Sequence, residues 1–371
     1  MRFSTIMVVL GTRPEAIKLA PVILGLQRIP NLRVITVSTS QHREMLDQVL
    51  DLFEISPDYD LKIMQKDQTL TQIVEKAMIG FRRVFDQVRP DILLVQGDTT
   101  TAFSGALAGF YEQIPVGHVE AGLRTGNVYS PFPEEANRSM ISVIARYHFA
   151  PTEGNRKNLI REQIDPSSII VTGNTVIDAL QYTLKHKPSH ARAAEFCRQG
   201  KKLILVTAHR RENFGQPIKN ICHALLQIAD RNEDVEIVYP VHLNANVQTP
   251  VRSLLTGKRR IHLLEPLDYR DICSFMARSF LVLTDSGGIQ EEAPSLGKPV
   301  VVMRTETERP EAVQAGTVAV VGNTTKAIVD KTEELLLDEF AYQRMARAVN
   351  PYGDGKAASK IVDFLTSQKP L

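Results

Sequence analysis

"LTDSGGIQEEAPSLGKP", residues 283–299, begins as the tail of the apolar run 280–283. It passes through Ser286-Gly287-Gly288 and continues with Glu291, Glu292, Gly297 and Pro299. A buried strand that breaks at glycines and opens a helix is the repeating unit of parallel, doubly wound sheets. Ligands of such sheets bind at the C-terminal strand ends. The glycines let a ligand approach the backbone, and unpaired N–H groups at a helix start favour an anion such as phosphate. Glu292, one turn in, is placed to accept hydrogen bonds from ribose hydroxyls. A tight strand–helix turn with solvated acids fits the same letters.

The same rhythm runs along the whole chain. Short apolar, β-branched runs predict strands at 5–10, 33–38, 92–96, 115–119, 148–150 and 169–171, with helices such as 70–88 and 101–111 between them. A polar stretch, "KHKPSHARAAEFCRQGKK" at 185–202, reads as a linker. The alternation then restarts at 203–208, 236–240, 261–264, 280–284, 299–303 and 318–321. The expected fold class is α/β, with two doubly wound Rossmann-like domains at 1–185 and 186–355. A last helix within 356–371 would cross back to the first domain.

A length of 371 residues agrees with two domains, and 43% apolar with 23% charged residues is a globular profile. A net charge of +2 gives no basic field for nucleic acid. No apolar run approaches the ~20 residues of a membrane span. Cys197, Cys222 and Cys273 are too far apart for a Cys-x-x-Cys site, and so sparse a set suits the cytoplasm. No His/Cys/Asp/Glu spacing suggests a metal. There is no G-x-G-x-x-G after the first strand and no Walker A lysine, so no cofactor is expected.

Other motifs fall at predicted strand ends. "GTRPEAIK" sets Arg13 and Lys18 around a helix start with Pro14 at its first position. Cations oppose the helix dipole there, so an anionic ligand explains them better, although two surface cations fit the same letters. "QGDTTT" places Asp98, "GHVEAGLRTG" places Glu120, and "SPFPEEANR" adds Glu134 and Glu135. Read singly, each acid also fits a cap or an ion pair; together on one edge they suit proton transfer. "TAHRRENFG" brings His209, Arg210 and Arg211, and "TETERPEAVQAG" brings Arg309. A His with arginines can hold a diphosphate. His118, His148, His242 and His262 read as structural.

These blocks, with "QHREMLDQVL", "TGNTVIDAL", "YPVHLN" and "NPYGDG", resemble in order and over nearly the whole chain the non-hydrolysing UDP-N-acetylglucosamine 2-epimerases of bacterial surface-polysaccharide synthesis. The resemblance implies a glycosyltransferase-B-like fold with the active site in the interdomain cleft, a homodimer, and reversible inversion at C2 of UDP-GlcNAc to UDP-ManNAc. Asp98, Glu120 and Glu134 match the family's acid/base positions, and His209 matches a histidine near the diphosphate. Arg13 and Lys18 match first-domain substrate contacts. Ser286, Gly287, Gly288, Glu292 and Arg309 match the UDP site. "EPLDYRDI" matches the nucleobase loop only loosely, with Leu267 and Ile272 serving through backbone groups. "TET" at 305–307 departs from the family's acidic-threonine pattern. Gln41, Glu44, Asp67 and His242 lie where some members bind a second, activating nucleotide sugar, although the acids Glu44 and Asp67 would repel a diphosphate.

The chemistry has one cofactor-free route. The C2 hydrogen is not next to a carbonyl, and an oxidation would need NAD. A base removing the C2 proton while UDP leaves C1 gives 2-acetamidoglucal, to which UDP re-adds. Such a route needs a proton-handling group for each face and a cationic cradle. The rivals are a hydrolysing epimerase, a retaining glycosyltransferase, and a non-catalytic nucleotide-sugar sensor.

Overall fold

The computed structural model describes residues 3–40, 43–65, 68–189, 193–196 and 200–367. The chain divides into two compact units: Met1–Ala179 with Tyr352–Leu371, and Leu180–Pro351. Gln41, Asp67 and Cys197 lie outside the described residues.

In the first unit the strands are β1 (Thr5–Leu10), β2 (Arg33–Ser38), β3 (Tyr59–Asp60), β4 (Ile92–Gln96), β5 (Val116–Val119), β6 (Tyr147–Ala150) and β7 (Ile169–Val171). Among the described residues they form one seven-stranded sheet in the order β3-β2-β1-β4-β5-β6-β7. Every pairing is parallel. "TIMVVL" and "ILLVQ" are almost wholly buried because helices cover both faces of the sheet. The helix Leu70–Gln87 shows how: Ile73, Ala77, Phe81, Val84 and Phe85 recur at helical spacing and face the core, and Thr69 caps the start by accepting from Gln72 N–H. The two-residue strand β3 is too short to show alternation and has no counterpart in the expected strands.

The C-terminal helix Ala357–Ser367 belongs to this unit. Asp178 accepts hydrogen bonds from the N–H groups of Ala357 and Ala358 at 3.2 and 2.9 Å. The Phe364 ring packs edge-on against Tyr147 and Phe149.

The second unit holds β8 (Lys202–Thr207), β9 (Val235–Pro240), β10 (Ile261–Leu264), β11 (Leu281–Thr284), β12 (Val300–Val302) and β13 (Val318–Val320). Their order is β10-β9-β8-β11-β12-β13, again parallel throughout. Its core is built around Tyr239, Ile204, Leu283 and the buried face of Gln216–Arg231. Both sheets therefore reverse strand order once, between β1 and β4 and between β8 and β11. The crevice beyond those strand ends is where open α/β sheets bind ligands.

Cys222 and Cys273 are buried, unbridged thiols, and burial pushes the Cys222 thiol up to about 12. No described helix is long and apolar enough to cross a membrane.

Candidate functional site

At the first reversal point, the turns after β1, β4 and β5 gather the candidate residues Arg13, Asp98 and Glu120. The helix Arg13–Gln27 begins at Arg13, which puts Pro14 at its second position rather than its first. Glu15 is buried and accepts from the N–H groups of Gly11 and Thr12 at 2.9 and 2.6 Å and from Thr99 Oγ1 at 2.5 Å. It thereby pins the end of β1 to the turn after β4. Burial raises its pKa above the ordinary carboxylate value, although these hydrogen bonds oppose the rise.

Glu120 stands just past β5 in a left-handed backbone conformation, with φ of 64°. Lys18 Nζ reaches both of its oxygens, at 2.6 and 2.7 Å. Gln96, the last residue of β4, donates to Oε2, and Asn174 Nδ2 donates to Oε1 at 2.9 Å. Lys18, expected from the sequence to be a cation for an anionic ligand, is thus an ion-pair partner of Glu120. Asp98 accepts from Arg138 Nε at 3.0 Å and from Arg138 Nη2, while its carbonyl accepts from Asn137 Nδ2 at 2.9 Å. Burial raises the Asp98 pKa; the Arg138 cation opposes this and the Glu120 charge adds to it. A carboxyl held up in this way accepts a proton more readily than an ordinary aspartate.

Arg138 also binds Glu135 at 2.9 Å, and Glu135 accepts from the N–H groups of Thr125 and Gly126 at 2.9 and 3.0 Å. The two acids of "PEE" therefore differ. Glu135 is the buried one, spent on structure. Glu134, at the first position of the helix Glu134–Ile144, is half-buried and forms no ion pair among the described residues. Arg13 is likewise half-buried and unpaired among the described residues.

At the second reversal point, Asp285 is fully buried directly after β11. Its Oδ2 accepts from the N–H groups of His209 and Arg210, both at 2.8 Å, and from Asn213 Nδ2 at 3.0 Å. Its Oδ1 lies 3.3 Å from His209 Nδ1, close enough for charge attraction but not aligned as a hydrogen bond. Burial lowers the His209 pKa, the Asp285 charge opposes this, and Arg210 and His242 add to it. The His209 ring stacks on His242, with centroids 5.6 Å apart. His242, read from the sequence as structural, is therefore a packing neighbour of His209.

Around the Gly-Gly turn, a Cβ at Gly287 would lie 3.6 Å from Arg210 Nη2 and 3.7 Å from Arg309 Nη2, so two guanidinium groups converge on this backbone. Arg309 is buried against Glu291. Glu292 is buried and accepts from Tyr269 Oη at 3.0 Å. Leu267 is buried, and the Ile272 N–H donates to Asp268 O at 3.0 Å inside its helix. That backbone donor is committed, so the nucleobase-loop role expected of Ile272 loses one of its two backbone groups.

Of the other histidines, His118 and His148 meet the backbone oxygens of Gly97 and Ser142 at 2.7 and 3.0 Å, and His262 pairs with Glu236 at 2.7 Å. Burial drives His118 down to about 3, so it stays neutral. Sequence reading missed Glu15, Gln96, Arg138, Asn174 and Asp285. Gln96 had a signal, as the one polar residue ending a buried apolar run.

The profile of the family described as UDP-N-acetylglucosamine 2-epimerase matches residues 25–366. The chain is 53% identical to the UDP-N-acetylglucosamine 2-epimerase of Salmonella typhimurium over 371 aligned positions, 98% of this chain and 99% of that protein. The crystal structure of UDP-GlcNAc 2-epimerase from Neisseria meningitidis bound to UDP-GlcNAc superposes with a TM-score of 0.91 at 50% identity, over 98% of this chain and all of that one. The glycotransferase of kitacinnamycin, 13% identical with a TM-score of 0.69 over the full length of both chains, shares the fold alone. With 53% identity along the chain and a matching family profile, this glycosyltransferase-B-like α/β protein belongs to the UDP-N-acetylglucosamine 2-epimerase family.

Proposed function

We propose that this chain is a non-hydrolysing isomerase that interconverts UDP-GlcNAc and UDP-ManNAc without a cofactor. One observation supports the reading beyond family membership: carboxylates at Glu120 and Asp98 are held beside Lys18 and Arg138 past C-terminal strand ends, the edge where sheets of this type bind ligands. Binding a nucleotide sugar calls for the arginines and the Gly-Gly turn of the second unit; it does not call for a proton-handling cluster.

The proposed reaction starts with a carboxylate taking the C2 proton. The C2–H electrons form the C1=C2 bond, and the C1–O electrons leave with UDP. Re-addition restores C1–O, and a proton arrives on the opposite face of C2. Asp98, Glu120 and Glu134 are the proposed proton-handling groups. Arg13, Lys18 and His209 face the charge that grows on the diphosphate. Ser286, Gly287, Gly288 and Arg309 cradle UDP, Glu292 takes the ribose, and Leu267 and Ile272 border the base. The proposed setting is the cytoplasm, with the chain working as a homodimer and feeding ManNAc-type sugars to surface polysaccharide.

The test is purified protein with UDP-GlcNAc alone, followed by proton NMR. UDP-ManNAc should appear and reach equilibrium. Free ManNAc with UDP would indicate hydrolysis. No product would indicate a sensor, and turnover only with an added acceptor would indicate a glycosyltransferase.

Two further outcomes are expected. Glu292→Ala should weaken UDP binding by about 1.5–3 kcal/mol, the usual worth of a hydrogen bond to a charged group. Calorimetric titration reads this, and an unchanged dissociation constant removes Glu292 from the ribose. Asp285→Asn should lower kcat about tenfold or more, because it takes away the charge facing His209 Nδ1. With Arg210 and His242 still beside it, the His209 pKa falls further, so its limb of the pH–rate profile moves to lower pH. A limb that stays in place separates Asp285 from the imidazole.

A further inference from the structure

The block "TGNTVIDAL" has no part in the chemistry so far. Its Asn174 is buried three residues past β7, just before the helix Thr175–His186. Asn174 Nδ2 donates to Glu120 Oε1 at 2.9 Å, and its Oδ1 accepts from the Val176 N–H at 3.1 Å. The second bond fixes the amide: its oxygen end is taken by the backbone, so the NH₂ end is the one aimed at Glu120. The Asn174 N–H donates to Tyr352 O at 2.7 Å. Gly173, with φ of 94°, lies so near this segment that a Cβ would come within 3.1 Å of Tyr352 O and 3.5 Å of the Gly353 Cα. Gly353 has φ of 111° and would crowd the Gly173 Cα at 3.3 Å. Side chains at either position would be strained and crowded, so the two backbone segments touch directly.

We infer that Asn174 is a positioning residue for Glu120, fixing the plane of its carboxylate against the Gly173–Gly353 junction. Lys18 neutralises Glu120 but touches both oxygens from a long, rotatable stem, so it supplies charge rather than direction. Gln96 and Asn174 each hold one oxygen, Gln96 from the end of a strand paired with β5 and Asn174 from a loop position whose own N–H is tied to Tyr352 O. The charged or titratable groups facing Glu120 include Lys18, Asp98 and His118. The inference rests on the proposal that Glu120 moves a proton.

The experiment uses full-length Asn174→Ala and Asn174→Asp beside the unaltered chain. It reads UDP-GlcNAc turnover, UDP affinity and thermal melting. Asn174→Ala should lose about tenfold in kcat while KM and UDP affinity stay within about twofold, since the lost bond orients the carboxylate without touching UDP. Asn174→Asp sets a second carboxylate against Glu120 Oε1 and should lose more near neutral pH. Protonating that acid turns it into a donor, so its rate relative to the unaltered chain should rise as the pH falls from about 8 to about 6. Normal kcat in Asn174→Ala, or a loss equal to its unfolded fraction, overturns the inference. If Asn174→Ala does not fold, a flat pH ratio in Asn174→Asp overturns it. An unaltered chain that leaves UDP-GlcNAc unchanged sinks the epimerase proposal itself; active chains of both kinds sink only the role of Asn174.

Discussion

Turnover in D₂O is expected to place deuterium at C2 of the product and, as the reaction runs back, of recovered UDP-GlcNAc. Elimination delivers the C2 proton to a side chain that exchanges with solvent, whereas oxidation with internal hydride return keeps the original hydrogen. Glu120→Gln keeps the shape of the side chain and removes its basicity. It should slow labelling by roughly 10²-fold or more, the usual worth of a general acid–base group. Asp98→Asn and Glu134→Gln should do the same if each serves a face of the ring. The Glu120 substitution also leaves Lys18 without its ion-pair partner, so melting must be measured alongside. Variants that fold normally and label slowly support proton transfer; variants that melt early and label normally assign the acids to structure. Some variants should release UDP and 2-acetamidoglucal, because elimination and re-addition need different groups. Mass spectrometry of the sugar nucleotide reads the label, and product formed without deuterium would falsify the elimination route.

The largest stability effect should come from Arg138→Met. Its guanidinium holds Asp98 and Glu135 together, and Arg138 and Glu135 are both buried. Removing one partner of a buried ion pair leaves charge stranded in a poor solvent, at a cost of about 3–5 kcal/mol. The Thr125 and Gly126 N–H groups still satisfy part of Glu135, and Asp98 is partly exposed, which argues for the lower end of that range. Without the cation the folded-state pKa of Asp98 rises further above its unfolded value. The deficit is therefore full at neutral pH and recedes as acid protonates the stranded carboxyl. Urea unfolding at two pH values reads both effects. A loss under about 1 kcal/mol would mean that water reaches the pair and the cluster is not rigid.

The strand framework was legible because buried parallel strands are continuous apolar runs, as "ILLVQ" and "TIMVVL" show. Tyr59–Asp60 was not legible, since two residues carry no period. In the site, Asp98, Glu120 and His209 announced themselves by standing directly after such runs. Their pairings did not. Arg138 and Lys18 lie within helices, and Asn174 opens one; what gives them meaning is the carboxylate they meet from 102 residues away, in the case of Lys18, or 54, in the case of Asn174. Asp285 stood beside the Gly-Gly turn but was overshadowed by it; only the fold shows it gripping the His209–Arg210 backbone. The pair Glu134–Glu135 could not be separated by sequence either, because adjacent helix residues face different directions and burial depends on what packs there.

The first unit is not one continuous stretch of chain: Tyr352–Leu371 completes what Met1–Ala179 begins. During synthesis, everything from Leu180 to Pro351 must leave the ribosome before the helix Ala357–Ser367 exists. Until then Asp178 has no Ala357 and Ala358 N–H groups to accept, and Tyr147 and Phe149 have no Phe364 ring against them. The order of completion is the reverse of the order of initiation: the unit started second is the first whose sequence is entire. A released chain that ends at residue 351 should thus show a protease-resistant second unit attached to a cleavable first one.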